Sequence, residues 1–173
     1  MTRFVLAAVL ALSACAEPPP PAQQGKVDAS GKTEVALSDL PPEVLVAALA
    51  ARPGFRASEA ESETRDGRRY FDVEGALADD SEIEFDIMEE DGRWLVVEIQ
   101  RDITLASAPE AVRAAATAHD AGFVPTRVIE STQIDGLVIY ELFGRGDGNP
   151  QGRKVEIKWD GKSAEVLKQE WAH

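Results

Sequence analysis

The 173-residue sequence predicts an α+β protein made of two tandem repeats, each one helix packed on a four-stranded antiparallel meander sheet. Three observations carry that expectation. A pattern of turn and helix-start residues occurs twice at offsets of 67 to 69 positions: Pro42-Glu43 is answered by Pro109-Glu110, Gly54-Phe55 by Gly122-Phe123, Asp66-Gly67 by Asp135-Gly136, Gly75 by Gly144, and Asp91-Gly92 by Asp160-Gly161. Apolar and charged residues alternate strictly in Glu82-Ile83-Glu84-Phe85-Asp86-Ile87, and again in Val155-Glu156-Ile157-Lys158-Trp159, as on a sheet with one buried face. Asp66-Gly67, Asp91-Gly92, Asp135-Gly136 and Asp160-Gly161 fall between candidate strands, where such pairs suit tight hairpins.

The chain opens with Arg3 and an apolar run from Phe4 to Leu12, the layout of a secretory signal. A spanning helix needs roughly 20 apolar residues, so residues 1–14 predict a processed signal peptide instead of a membrane anchor. Leu12-Ser13-Ala14-Cys15 places two small residues before the only cysteine and resembles the lipobox of bacterial lipoproteins. That resemblance implies cleavage before Cys15 and acylation of its sulfur and new amino group. An intramolecular disulfide is excluded by the lack of a second cysteine, and more than one acyl chain gives stable anchoring. Ala16 in place of Asp after the cysteine resembles the sorting signal for the outer membrane. Residues 15–37 then form a tether: Pro18 to Pro21 favour an extended polyproline conformation, and the polar remainder has little apolar surface to bury.

The first repeat is expected over residues 38–103. Val44, Leu45, Ala48 and Leu49 share one face of a helix ended by Pro53-Gly54, followed by strands Ala57 to Thr64, Arg69 to Glu74, Ile83 to Ile87 and Trp94 to Ile99. The second repeat is expected over residues 106–173. Ser107-Ala108-Pro109-Glu110 reads as a capping box, Val112, Ala115 and Ala116 as the inner helix face and Gly122 as its end, with strands Thr126 to Gln133, Leu137 to Phe143, Lys154 to Trp159 and Ala164 to Lys168.

The unit that starts with Leu40-Pro41-Pro42-Glu43-Val44, continues through Gly54-Phe55 and an acidic strand, and ends on the Tyr70-Phe71-Asp72-Val73-Glu74 strand resembles the PepSY-like, beta-lactamase-inhibitor-protein-like domains. The resemblance spans about Ser38 to Trp171 through degenerate patterns. It departs at Ser107-Ala108, which stands where the first unit has Leu40-Pro41, and in the more apolar strand Leu137 to Phe143. It implies a noncatalytic periplasmic or secreted module that binds or inhibits other proteins, with no cofactor.

Charge narrows the partners. Without Arg3 the chain carries 17 basic and 31 acidic residues, a net −14; residues 38–103 hold 18 acidic and 7 basic, residues 106–173 hold 10 and 8. A nucleic-acid partner is disfavoured, since phosphate binding needs a basic surface. Glu82, Glu84, Asp86, Glu89, Glu90 and Asp91 are the candidate partner-binding residues, either a steering surface for a basic protein or a solvated sheet face that keeps the chain dissolved. No catalytic arrangement is legible: His119 and His173 have no serine or cysteine motif to activate, and Asp79-Asp80 lacks the loop of a calcium site, so no metal ligand is assigned. Arg145-Gly146-Asp147 reads as part of a glycine-rich loop. Trp94, Trp159, Trp171, Phe71 and Tyr140 are core or interface anchors. The expectation is a noncatalytic, periplasm-facing protein-interaction module held on the membrane by lipid on Cys15. A structural or assembly lipoprotein of the envelope is the alternative, and a small-ligand or metal carrier a more remote one.

Overall fold

The computed structural model describes residues 31–145 and 152–171. The signal segment, Cys15, most of the tether, the loop from Gly146 and His173 lie outside the described residues. Among the described residues nine strands follow in chain order: β1 (Thr33–Glu34), β2 (Arg56–Arg65), β3 (Arg68–Ala76), β4 (Glu82–Glu90), β5 (Arg93–Ile103), β6 (Val124–Gln133), β7 (Val138–Arg145), β8 (Arg153–Trp159) and β9 (Ala164–Val166). Helix α1 (Pro42–Ala51) precedes β2, and α2 (Glu110–His119) precedes β6.

All nine strands pair antiparallel with their sequence neighbours in one continuous sheet, β1 through β9. This corrects the expectation of two tandem units with a four-stranded sheet each. The overturning feature is the β5–β6 ladder, which runs from Glu98 opposite Gln133 to Ile103 opposite Val128. Two separate sheets would leave β5 and β6 with rows of unpaired backbone donors and acceptors, and joining them removes both edges. β1 is a second departure, since Thr33 and Glu34, expected in the tether, pair with Ser62 and Glu61 and cover part of the β2 edge.

Both helices lie on the same face of the sheet, α1 against β4 and β5, α2 against β8 and β9. Under α1, the buried side chains Val44, Ala48, Phe55, Val73, Phe85 and Ile87 form one core, with Phe55 edge-on to Phe85 at 4.8 Å between ring centroids. Under α2, Val112, Ala116, Phe123, Tyr140, Leu142 and Ile157 form the other. Trp94 tilts against Phe71 and Trp159 meets Tyr140 edge-on, so both tryptophans back the core.

Among the described residues, the four Asp-Gly turns divide two and two. Asp66-Gly67 and Asp91-Gly92 have positive φ at both residues and close two-residue hairpins flanked by Arg65–Arg68 and Glu90–Arg93, the geometry the sequence predicts. Asp135 and Asp160 instead use their carboxylates. Asp135 Oδ1 accepts from the Leu137 backbone N–H, Asp160 Oδ1 from those of Lys162 and Ser163, and the loops are wider. Ser107 is not the helix cap expected of it: Pro109 is the residue before α2, no side chain caps it, and Thr104 Oγ1 accepts the Ser107 N–H in a preceding 3₁₀ turn. Two glycines are required by close approach. The chain is bulged between Ala57 and Glu59 and between Pro125 and Arg127, and a Cβ at Gly75 or Gly144 would collide with the Arg56 or Val124 carbonyl oxygen across the pair.

Candidate functional site

The face of the sheet turned away from the helices carries the unusual chemistry. Strand alternation puts Phe71, Val73, Phe85 and Ile87 under α1, so their neighbours Asp72, Glu74, Glu84 and Asp86 must point to the other face. Register then aligns the acids. Glu61 of β2 lies opposite Asp72 of β3, Asp72 opposite Asp86 of β4, Asp86 opposite Glu98 of β5, and the row ends at Gln133 of β6. A second row runs alongside from Glu59 through Glu74 to Glu84. In the other half of the sheet the same face has one such pair, Glu141 opposite Glu156. Like charges directly opposite across an antiparallel pair destabilise a sheet, so this arrangement needs compensation.

Three cations and a set of neutral donors supply it. Lys32 Nζ stands 2.5 Å from Asp72 Oδ2 and 3.9 Å from Glu61. The Arg65 guanidinium lies 2.5 Å from Asp86 Oδ2 and 2.6 Å from Glu63, and it stacks over the Tyr70 ring. Lys154 reaches Glu156 at 2.6 Å and Glu141 at 3.6 Å. Glu98 accepts from the Ser131 hydroxyl and, at 3.0 Å, from Gln133 Nε2. Trp171 closes the far end, its backbone N–H donating to Glu156 at 2.6 Å and its indole N–H to Gln133 at 3.2 Å.

The middle of the first row is withdrawn from solvent: Asp72, Asp86 and Glu98 are each no more than 5% exposed. Burial, then the neighbouring Asp72 and Glu74 carboxylates, push the Glu84 carboxyl up to about 8. Asp86 also rises, through burial and then Asp72, with the Arg65 hydrogen bond opposing. Burial and the Glu156 charge lift Glu141 against the pull of Lys154. Burial by itself would lower the Lys32 ammonium, yet Asp72 outweighs it and holds the group above its ordinary value.

The six acids singled out in the sequence separate in space. Glu84 and Asp86 belong to the two rows, and Glu82 and Glu90 share their face at the exposed ends of β4. Glu89 has the opposite parity and faces Arg69 at 3.2 Å on the helix side, while Asp91 is a turn residue with positive φ. Sequence reasoning missed Asp72, Glu98, Lys32, Arg65, Ser131 and Gln133. The alternation of Tyr70-Asp72-Glu74 against Phe71 and Val73 was a usable signal for the first of these. Nothing local places Glu98 beside Gln133, 35 residues on.

His119 ends α2 on the surface, Asp79 is occupied by the Ser81 N–H and hydroxyl, and Asp80 pairs with Arg56 at 2.8 Å. Among the described residues there is no cluster of three or more His, Cys, Asp or Glu side chains arranged to hold a metal ion, and no helix is long and apolar enough to cross a membrane.

No family model matches the chain, and no curated protein matches it either. Among solved structures, the chain is similar to a protein from Bacteroides vulgatus, of the DUF2874 family, whose description assigns it provisionally to the periplasm. The two share 17% identity over 80% of this chain and 96% of that one, with a TM-score of 0.30.

Proposed function

We propose that this chain is a noncatalytic, periplasm-facing interaction module, anchored by lipid on Cys15, whose working surface is the carboxylate face of the sheet. The observation that carries this reading is the row Glu61–Asp72–Asp86–Glu98, four carboxylates opposed on four adjacent strands. A sheet selected for stability alone gains nothing from that alignment, and departures from local rules concentrate where a protein works. Around the buried row, Glu59, Glu61, Glu63, Glu74 and Glu82 remain partly or fully open to solvent. They present the negative rim that a protein rich in Lys and Arg would meet, and the chain's net charge steers such a partner toward it. The anchor is supported by Leu12-Ser13-Ala14-Cys15 and by the run of prolines after it.

The test pairs mass spectrometry of the mature chain with affinity capture from detergent-solubilised envelope. Diacylglycerol and an N-acyl group on Cys15 are expected, together with one stoichiometric basic partner that is released by added salt and lost with the double variant Glu59→Lys, Glu82→Lys. Equal recovery by the variant rejects the face as the working surface, and a bare Cys15 rejects the anchor.

A further inference from the structure

The two helices sit alike on the sheet but differ on their outer sides. On α1 the positions turned to solvent are Pro42, Val46, Leu49 and Ala50, with Val46 64% and Leu49 44% exposed, and charges only at the two ends in Glu43 and Arg52. On α2, where Val112 and Ala116 take the buried places that Val44 and Ala48 hold on α1, the outer side is Glu110, Arg113, Ala114, Thr117 and Ala118. Each helix buries two residues, so the inner packing does not account for the apolar outside of α1.

We infer that the outer face of α1 lies against the phospholipid surface to which Cys15 is anchored, so that the carboxylate face points away from the membrane. The inference rests on the lipid anchor proposed above. Three observations select lipid as the occupant. The face opposite the helices carries the carboxylate rows, which anionic headgroups repel, leaving the helical side as the one a bilayer accepts. α1 is the helix nearest in sequence to the anchor, with Cys15 27 positions before Pro42. Because β1 holds Thr33 in the sheet, the reach is set by the 18 positions between Cys15 and Thr33, on the order of 60 Å when extended, ample for a helix about 10 Å across to lie down on the surface. Finally, Val46 and Leu49 form a patch too small to hold a protein at a membrane unaided, but sufficient to set orientation once a lipid supplies the local concentration.

The experiment uses the full mature chain. With Cys15 acylated, Leu49→Cys places the one free thiol on α1 and Thr117→Cys places it on α2, and both positions are exposed enough to carry an environment-sensitive dye. Labelled proteins are reconstituted into vesicles of phosphatidylethanolamine and phosphatidylglycerol containing brominated acyl chains. The expected result is a blue shift and roughly threefold stronger bromine quenching at position 49 than at position 117, lost when Val46→Glu is added. Equal quenching at the two positions on an acylated chain overturns the orientation while leaving the anchor intact. A blue shift that grows with protein concentration and is indifferent to bromine also overturns it, because a second copy then covers the patch. A thiol that labels at Cys15 itself shows a bare cysteine, and the anchor falls together with this inference.

Discussion

The half of the sheet under α1 and the half under α2 have the same order of elements and similar cores, yet they differ in how they treat charge. Under α1 the open face stacks Glu61, Asp72, Asp86 and Glu98 in one row and Glu59, Glu74 and Glu84 in another. Under α2 the corresponding face has Ser131 against Ile139 and Ile129 against Glu141, with a single acidic pair bridged by Lys154. Since both halves fold on the same apolar framework, the acid rows are not a requirement of the architecture. They are an addition to one half, and the comparison separates what holds the sheet together from what decorates it.

The strongest way to break the comparison is to attack the shared framework. Phe85 and Leu142 are both fully buried, one in each core. Phe85→Ala and Leu142→Ala should each cost about 3 to 5 kcal/mol, measured by urea unfolding. Because β5 and β6 make the sheet continuous, each variant should still unfold in a single transition. Two transitions would show halves that fold independently.

Gly75 and Gly144 come next. Each lies beside a bulge, between Ala57 and Glu59 or between Pro125 and Arg127, and faces the Arg56 or Val124 carbonyl oxygen with no room for a methyl group. Gly75→Ala and Gly144→Ala should both destabilise by roughly 1 to 3 kcal/mol through forced backbone movement. Unequal costs, followed by the same unfolding assay, would show that one bulge yields more readily than the other.

The acid rows themselves give a pH signature. Glu84 titrates at about 8 in the folded chain against an ordinary 4.5, so between those values the folded state holds a proton that the unfolded state has released. Its contribution is fully present below pH 4.5 and is lost as pH rises through 8, with a slope of up to about 1.4 kcal/mol per pH unit. Thermal unfolding from pH 5 to 8 should therefore show falling stability. Glu84→Gln should flatten that fall and raise stability most at pH 8. Glu141→Gln in the other half should change the profile in the same direction but less, because Lys154 already offsets the charge there. An unchanged profile in Glu84→Gln would place the titration elsewhere on the sheet.

How much of this was readable beforehand follows from which forces are local. The period-2 alternation of Ile83, Phe85 and Ile87 with Glu82, Glu84 and Asp86 fixes the faces of β4, and the structure obeys it. Asp66-Gly67 and Asp91-Gly92 behaved as their sequence predicts, whereas Asp135 and Asp160, identical in the dipeptide, used side-chain acceptance because their loops are longer. The joining of β5 to β6 was not legible, since a strand's local pattern is the same whether its edge is free or paired. The acid row needed that register as well: Glu98 reads as a lone acid among Val96, Val97 and Ile99 until Asp86 and Gln133 are placed on either side of it. Even the assumption of a wet acidic face failed at Asp86, which is buried under Arg65 and its own neighbours.

The smallest expected effect sharpens the difference between the helices. Leu49 is exposed on α1 where α2 has Thr117, and its side chain takes no place among the buried residues of either core. Leu49→Thr should therefore change unfolding stability by no more than about 0.5 kcal/mol, the range of ordinary surface positions. The loss of helix propensity from a β-branched residue accounts for part of that. A cost several times larger, measured on the chain free of lipid and detergent, would mean that Leu49 packs against the protein itself. The apolar outside of α1 would then be a feature of folding instead of a surface kept for contact.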